Sequence, residues 1–240
     1  MPFKAVFFDF MGTCLDWHSS VLSVFPSTIR PDEASSLALQ WRQQYFNLNA
    51  ARVKANQPVE PFDTTLARAL DHVLGDAFSR LASHFDTEVR NKAVRAFHNQ
   101  KAWPDVAPAL KALRSAGLET FVHANGSTRL QLDIVASSSL NPEFDMLFSS
   151  ELLGLYMPAP EAYHKVLELI NAQPHEVVKV AAHAWDLRGA KEVGIKTVYV
   201  RRWTDDVEED MDALREEFDG FLDGMEGLPS EIERLNVARH

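Results

Sequence analysis

The sequence contains little cysteine, no long apolar run and no excess of basic residues. The single cysteine, Cys14, has no partner for an internal disulfide and follows no metal-ligand spacing, so we expect a reducing setting and no zinc site. No segment approaches the ~18–20 uninterrupted apolar residues of a membrane helix. The N-terminal run MPFKAVFFDF is too short for a secretory signal. The sequence therefore predicts a cytoplasmic protein with no membrane partner.

The charge balance disfavours a nucleic-acid partner. The chain has 24 Lys and Arg against 34 Asp and Glu, a formal net charge of −10, and the acids are concentrated in the tail from 204 to 235. Proteins that bind phosphate backbones need clustered basic residues instead. We expect this tail to form a solvated helix face that keeps the protein soluble.

The hydrophobic pattern divides the chain into three stretches. Residues 3–8 form a nearly continuous apolar strand, as expected for a strand covered by helices on both faces. Residues 32–54, 61–75 and 86–99 have helical patterns with no clear strand among them. With 240 residues, the chain has room for one large domain that carries an insertion. We predict an α/β core of 1–14 and 100–240 and a helical cap of 15–99.

Strands and helices alternate after Pro104. The segments LETFVH, DMLFSS, VVKVAAH and KTVYVR are typical of strands, and Gly117 and Gly194 close helices between them. Repeated β-α-β units of this kind predict a Rossmann-like, doubly wound parallel sheet. In such sheets ligands bind beyond the carboxyl ends of the strands. Four places should therefore meet there: Asp9, residues 124–126, residues 154–160 and residues 183–186.

Asp9 is the first candidate for chemistry. A carboxylate at a strand end, followed by Gly12 and Thr13 in a tight turn, can attack an electrophile or transfer a proton. An Asp before a turn is more often a backbone cap, so Asp9 alone does not decide the function.

Four motifs in order give a more specific signal. They are D-x-x-G-T-x-x-D from Asp9, N-G-S from Asn125, Y-x-P-x-P-E-x-Y from Tyr156 and A-x-H-A-W-D-L-R-G-A from Ala181. Together they resemble the haloacid dehalogenase superfamily, and best its L-2-haloacid dehalogenase (type II) branch. The resemblance covers essentially the whole chain. It implies a hydrolase with a helical cap, in which Asp9 attacks the carbon bearing the halide and water then cleaves the resulting ester.

The resemblance also implies roles for individual residues. Arg42 would grip the substrate carboxylate, which suits the fork of a guanidinium, although an arginine on a solvated helix face is the alternative. Asn125 would donate to substrate or halide, and Asp186 would position the hydrolytic water or a lysine. The catalytic candidates are thus Asp9, Arg42, Asn125 and Asp186. The remaining motif residues are candidates for substrate binding: Phe10, Met11, Thr13, Ala124, Met157, Tyr163, His183 and Trp185. Tyr163 could equally be a packing residue, and we expect Trp185 to pack.

Several positions depart from the family pattern. Met11 stands where the phosphatases of the superfamily carry a second Asp, so we expect no magnesium site, no other cofactor and no phosphatase activity. Met157 stands where the family has a lysine, and Ala124 where it has a serine. Asp9 and Asp186 would then share a crevice without an ammonium between them, and the pKa of at least one acid should be raised.

Three functions remain open at this point. The first is a hydrolase of the 2-haloacid dehalogenase type acting on a small carboxylic acid. The second is a non-hydrolytic lyase, isomerase or cyclase in which Asp9 donates a proton to an apolar metabolite. The third is a non-catalytic binding protein with the same fold. The run WRQQYFNL at 41–48 is compatible with a homodimer contact.

Overall fold

The computed structural model of the protein describes residues 2–55, 57–58 and 60–237. The chain divides into two compact units, Met1–Leu15 with Ala102–His240, and Asp16–Lys101. The second unit begins one residue after the start of the predicted cap and ends two residues after its end. No helix in the described ranges is long and apolar enough to cross a membrane.

The first unit is built on a six-stranded sheet. The strands of the chain are β1 (Ala5–Phe8), β2 (Leu15–Asp16), β3 (Lys101–Ala102), β4 (Glu119–Ala124), β5 (Met146–Ser149), β6 (Val177–Ala181), β7 (Lys196–Val200) and β8 (Gly220–Leu222). The sheet has the order β5-β4-β1-β6-β7-β8, and each adjacent pair is parallel. The short strands β2 and β3 pair separately. The predicted doubly wound α/β core is confirmed.

Helices connect these strands and fill the second unit. They are α1 (Trp17–Leu22), α2 (Pro31–Lys54), α3 (Phe62–Gly75), α4 (Thr87–Ala96), α5 (Val106–Ser115), α6 (Thr128–Ser137), α7 (Ser150–Leu153), α8 (Pro160–Leu169), α9 (Ala184–Glu192), α10 (Met211–Glu217) and α11 (Leu228–Val237). Within the described ranges, 3-10 turns cover Ser79–His84, Asn141–Glu143 and Pro174–Glu176. Residues at the helix starts explain where several helices begin. Asp86 and Ser127 cap α4 and α6 through their side-chain oxygens, and α8 begins on Pro160.

The order of the strands determines where a ligand site can form at the edge of the sheet. Strand β1 lies in the middle of the sheet between β4 and β6, and all its residues are buried. The chain winds outward from β1 to β5 and then returns to place β6 on the other side of β1. The carboxyl ends of β1 and β6 therefore form the switch point at which such sheets bind ligands. Asp9 follows the first of these strands, and His183 follows the second.

The acidic tail belongs to the first unit. It folds into α10, β8 and α11, and it supplies the sixth strand of the sheet as well as buried apolar side chains such as Leu214 and Ile232. Asp205, at its start, is also buried. The exposed acids Asp212 and Glu216 of α10 fit the expected solvated helix face, while the opposite face places Leu214 in a buried cluster with Tyr199 of β7.

The helical unit has an aromatic core. The rings of Trp17 and Phe97 stack with centroids 5.9 Å apart, and Trp41 meets Phe97 edge-on at 5.2 Å. The indole of Trp41 donates to the carbonyl of Leu66, 2.7 Å away, which joins α2 to α3. Aromatic pairs of this kind stabilise a core beyond the area they bury.

Candidate active site

Asp9 follows β1 and presents its carboxylate at the edge of the sheet. Its backbone N–H donates to Val180 on β6, which fixes the residue beside the end of that strand. Its Oδ2 accepts a hydrogen bond from the hydroxyl of Thr13 at 2.6 Å and faces the Nδ1 atom of His183 at 2.9 Å. No hydrogen bond to its Oδ1 occurs within the described ranges. The side chain remains 9 % exposed.

The turn after Asp9 directs the Thr13 hydroxyl. Gly12 has a φ of +86°, a conformation that side chains other than glycine rarely adopt. Thr13 Oγ1 accepts the N–H of Ala182 at 2.8 Å and donates to Asp9. One hydroxyl therefore ties the turn after β1 to the residue that follows β6.

His183 bridges two carboxylates. Its Nδ1 faces Asp9, and its Nε2 lies 3.0 Å from Oδ1 of Asp205. Both carboxylates can be satisfied only when both ring nitrogens carry a proton, which requires the imidazolium form. Burial lowers the pKa of His183, but the charges of Asp9 and Asp205 outweigh it and hold that pKa well above the usual range. His183 is thus a cation in contact with Asp9.

Asp205 is fixed by its own neighbours. Its side chain is fully buried, and its Oδ2 accepts the hydroxyl of Thr204 at 2.7 Å. A Cβ added to Gly12 would lie 2.5 Å from Asp205 Oδ1, so the turn after β1 leaves room for this carboxylate only because it has no side chain at that position. The adjacent Asp206 accepts the N–H of Ala184 at 2.6 Å and so caps the start of α9.

A second cation reaches the site from β6. Lys179 is fully buried, and its ammonium donates to the carbonyl of His123 at 2.6 Å and to the sulfur of Met157 at 3.8 Å. It lies 3.0 Å from Oδ2 of Asp186, an ion-pair distance without hydrogen-bond alignment. The other oxygen of Asp186 accepts the hydroxyl of Tyr163 at 2.8 Å.

These neighbours shift the pKa values of Asp9 and Asp186 in opposite directions. Burial raises the pKa of Asp9, but His183, the charge of Lys179 and the hydroxyl of Thr13 outweigh it, and the pKa falls to about 2. Burial raises the pKa of Asp186, and the charge of Asp9 adds to this increase against the opposing effect of Lys179. At neutral pH, Asp9 is therefore an ionised carboxylate in a nearly dry setting, which makes it a competent nucleophile.

Comparisons with known proteins agree with this arrangement. Residues 3–194 match the haloacid dehalogenase-like hydrolase family. The chain belongs to this family. It is 29% identical over 202 residues to (S)-2-haloacid dehalogenase 1 of Pseudomonas sp. (strain CBS-3), covering 84% of this chain and 86% of the relative. It is also 29% identical over 205 residues to (S)-2-haloacid dehalogenase 4A of Burkholderia cepacia, covering 83% of each.

A solved structure supports the same assignment. The L-2-haloacid dehalogenase PA0810 superposes with a TM-score of 0.79 at 27% identity, covering 97% of this chain and 100% of that protein. The resemblance drawn from the four motifs is confirmed, as is the interpretation of the chain as a hydrolase of the haloacid dehalogenase type. The lyase and binding-protein alternatives are not favoured.

The expectation that the site lacks an ammonium is wrong. The loop residue is Met157, as the sequence shows, but the ammonium of Lys179 lies against its sulfur and beside Asp186. Strand β6 therefore supplies, through Lys179, the positive charge that the loop containing Met157 lacks. The expected increase in the pKa of one acid applies to Asp186 and not to Asp9.

Asn125 and Met157 hold each other. The Asn125 amide donates to the carbonyl of Met157 at 2.9 Å and accepts its N–H at 3.0 Å. This pair joins the loop after β4 to the loop before α8. The predicted role of Asn125 as a donor to substrate or halide stays a prediction.

The other predicted residues fall into three groups. Phe10, Met11 and Ala124 are buried, and the ring of Phe10 packs edge-on against Phe144 at 5.7 Å. Trp185 is half-buried, with its ring centroid 6.0 Å from that of His183. Arg42 belongs to the helical unit, where its guanidinium lies over aromatic rings, 4.5 Å from the Phe46 centroid and within 6 Å of two more.

Two residues of the site were missed by the sequence patterns. Lys179 is a single charged residue inside the apolar run VVKVA. Because a lysine is almost never buried unless its ammonium is paired, this pattern could have predicted a charged partner at the site. Asp205 gave no such signal, because it is one of many acids in the tail. Only its burial distinguishes it from its neighbours.

Proposed function

We propose that this protein hydrolyses small 2-haloacids, with Asp9 as the nucleophile. The observation that carries the proposal is the state of Asp9, which is ionised and has Oδ2 held by Thr13 and His183 while Oδ1 accepts no bond in the described part of the chain. A fixed carboxylate with one uncommitted oxygen is prepared to attack carbon. The names of the relatives supply the substrate class, a 2-haloacid.

The reaction has two covalent steps. Oδ1 of Asp9 forms a bond to C2 of the haloacid as the carbon–halogen bond breaks, and the halide leaves with the electron pair. Water then adds to Cγ of the Asp9 ester, and the bond between Cγ and the ester oxygen breaks. The products are a 2-hydroxy acid, halide, one proton and the restored Asp9 carboxylate.

Lys179 and Asp186 prepare the first step. The ammonium lies in a dry setting, where its charge acts strongly on neighbouring groups. Asp186 and the carbonyl of His123 hold that ammonium in place, while Tyr163 holds Asp186. We assign to Lys179 the work that the motif lysine does elsewhere in the family, which is to keep Asp9 ionised beside a substrate anion.

A proton-donor role for Asp9 is disfavoured by the same electrostatics. A carboxyl group with a pKa of about 2 carries almost no proton at neutral pH, so it cannot act efficiently as a general acid there. The His183 cation in contact with Asp9 and the charge of Lys179 disfavour a metal ion at this carboxylate. We propose a reaction without metal or other cofactor.

We assign the substrate carboxylate to Arg42 and the role of a cap to the helical unit Asp16–Lys101. The guanidinium lies among aromatic rings, where it is partly desolvated and can pair strongly with an anion. A cytoplasmic location and a homodimer formed through residues 41–48 also stay predictions. The buried, free thiol of Cys14 is in keeping with the first.

Halide release tests the proposal. We expect the purified protein to release chloride from (S)-2-chloropropionate and to form the 2-hydroxy acid in equal amount. Asp9→Asn should lower the rate by roughly 1,000-fold or more, because the amide is not a nucleophile. Wild-type protein that releases no halide from 2-chloro- or 2-bromopropionate would overturn the proposal.

A further inference from the structure

The contacts on Oδ2 of Asp9 have a consequence for the second step of the reaction, and this consequence rests on the proposed function. If Oδ1 forms the ester, Oδ2 becomes its carbonyl oxygen. The hydroxyl of Thr13 and Nδ1 of His183 already lie 2.6 and 2.9 Å from that atom. Donors at such distances from the oxygen where negative charge develops define an oxyanion hole.

We infer that His183, held by Asp205, forms with Thr13 an oxyanion site for hydrolysis of the Asp9 ester. His183 and Thr13 are catalytic residues in this account, because they touch a reacting atom. Asp205 touches only the far nitrogen of His183 and is a positioning residue.

The electron movements follow from this placement. Water adds to Cγ, and the carbonyl electron pair moves onto Oδ2, where the two donors stabilise it. The pair then returns as the bond from Cγ to the ester oxygen breaks. One proton of the water goes to the departing 2-hydroxy oxygen, and the other is released when Asp9 becomes a carboxylate again.

The surroundings keep His183 suited to this role. Its ring is fixed at both nitrogens, so it does not need to turn between steps. Esterification removes the negative charge of Asp9, but the carboxylate of Asp205 stays beside Nε2 and continues to favour the cation. Burial strengthens the effect of this charge on Oδ2.

Rapid-quench measurements of the full-length protein separate the two steps. With (S)-2-chloropropionate, halide release and the mass of the peptide containing Asp9 are followed for wild type, His183→Ala, His183→Gln and Asp205→Asn. We expect His183→Ala to release about one halide per site and then stall with an ester on Asp9, because losing one oxyanion donor slows hydrolysis about 100- to 1,000-fold. His183→Gln, which keeps a neutral donor, and Asp205→Asn should lie between this variant and wild type.

Controls keep the outcomes distinct. His164→Ala, at an exposed position of α8, should behave as wild type, and circular dichroism should show that each variant is folded. Folded variants of His183 that hydrolyse the Asp9 ester at the wild-type rate, whatever their rate of first halide release, would overturn the inference alone. Wild-type protein that releases no halide would overturn the proposed function, and the inference with it.

Discussion

Lys179 is the residue on which the charge of the site depends. A fully buried lysine is costly unless its ammonium is paired and hydrogen-bonded, and here Asp186 and the carbonyl of His123 meet that need. Lys179 lies on β6, and its ammonium approaches the loop residue Met157 from that strand. In this chain, β6 therefore supplies a buried ammonium that lies against the sulfur of Met157 and beside Asp186.

Exchanging the lysine between these two positions tests this account. We expect Lys179→Met to lower the rate of halide release by roughly 100-fold, because the dry site loses a buried cation whose charge stabilises negative charge during the attack. The double variant Lys179→Met with Met157→Lys should recover part of that loss, since the Met157 sulfur lies 3.8 Å from the ammonium it would replace. Initial rates with (S)-2-chloropropionate measure both effects.

Two further variants complete the set. Lys111→Met, at an exposed position of α5, should leave the rate unchanged. Met157→Lys alone should lower it, because two ammonium groups would then compete for one buried carboxylate. Full activity of Lys179→Met would refute the role of Lys179, as would a double variant no more active than the single one in folded protein.

The turn after β1 is the element that assembles the site. It carries Thr13 to Asp9, and its glycine leaves room for Asp205. The left-handed φ at Gly12 costs a residue with a side chain about 1–2 kcal/mol, and the collision with Asp205 adds to that. The turn therefore links the nucleophile to a carboxylate almost 200 positions further along the chain.

Gly12→Ala should damage both stability and activity. We expect it to lower the free energy of unfolding by at least about 1 kcal/mol and to displace Asp205 from His183. The displacement should slow ester hydrolysis and so cause the ester to accumulate on Asp9. Urea denaturation and rapid-quench mass spectrometry measure the two effects.

Gly117→Ala is a matched control for this variant. Gly117 has a similar φ of +84°, but a Cβ there would meet no atom within 4 Å. It should therefore lose stability through backbone strain alone and keep its activity. If Gly117→Ala lost as much activity as Gly12→Ala, or if Gly12→Ala stayed fully active, the proposed link between the turn and Asp205 would be wrong.

At the scale of the whole molecule, the sequence predicted the sheet and the position of Asp9. Alternating apolar strands and helices are local patterns, and the rule that parallel strands end on one edge brought the four motif segments together without coordinates. The prediction of a helical cap of 15–99 rested on another local change, the loss of strand patterns after the first motif.

The electrostatics of the site did not follow from local patterns. Lys179 acts on Asp9 because β6 pairs directly with β1, in a register that places Phe7 beside Lys179. Asp205 reaches His183 only after the acidic tail folds back on the sheet. Both contacts join distant parts of the chain, so the motifs did not show which of the two acids has the raised pKa.

A single turnover in water enriched in oxygen-18 tests the central claim most directly. With protein in excess over (S)-2-chloropropionate, nucleophilic attack by Asp9 transfers an oxygen of the carboxylate to the product, and water replaces it. We therefore predict label in the peptide that contains Asp9 and none in the 2-hydroxy acid. Label in the product hydroxyl, with none in Asp9, would mean that water attacks the substrate directly and would contradict the account.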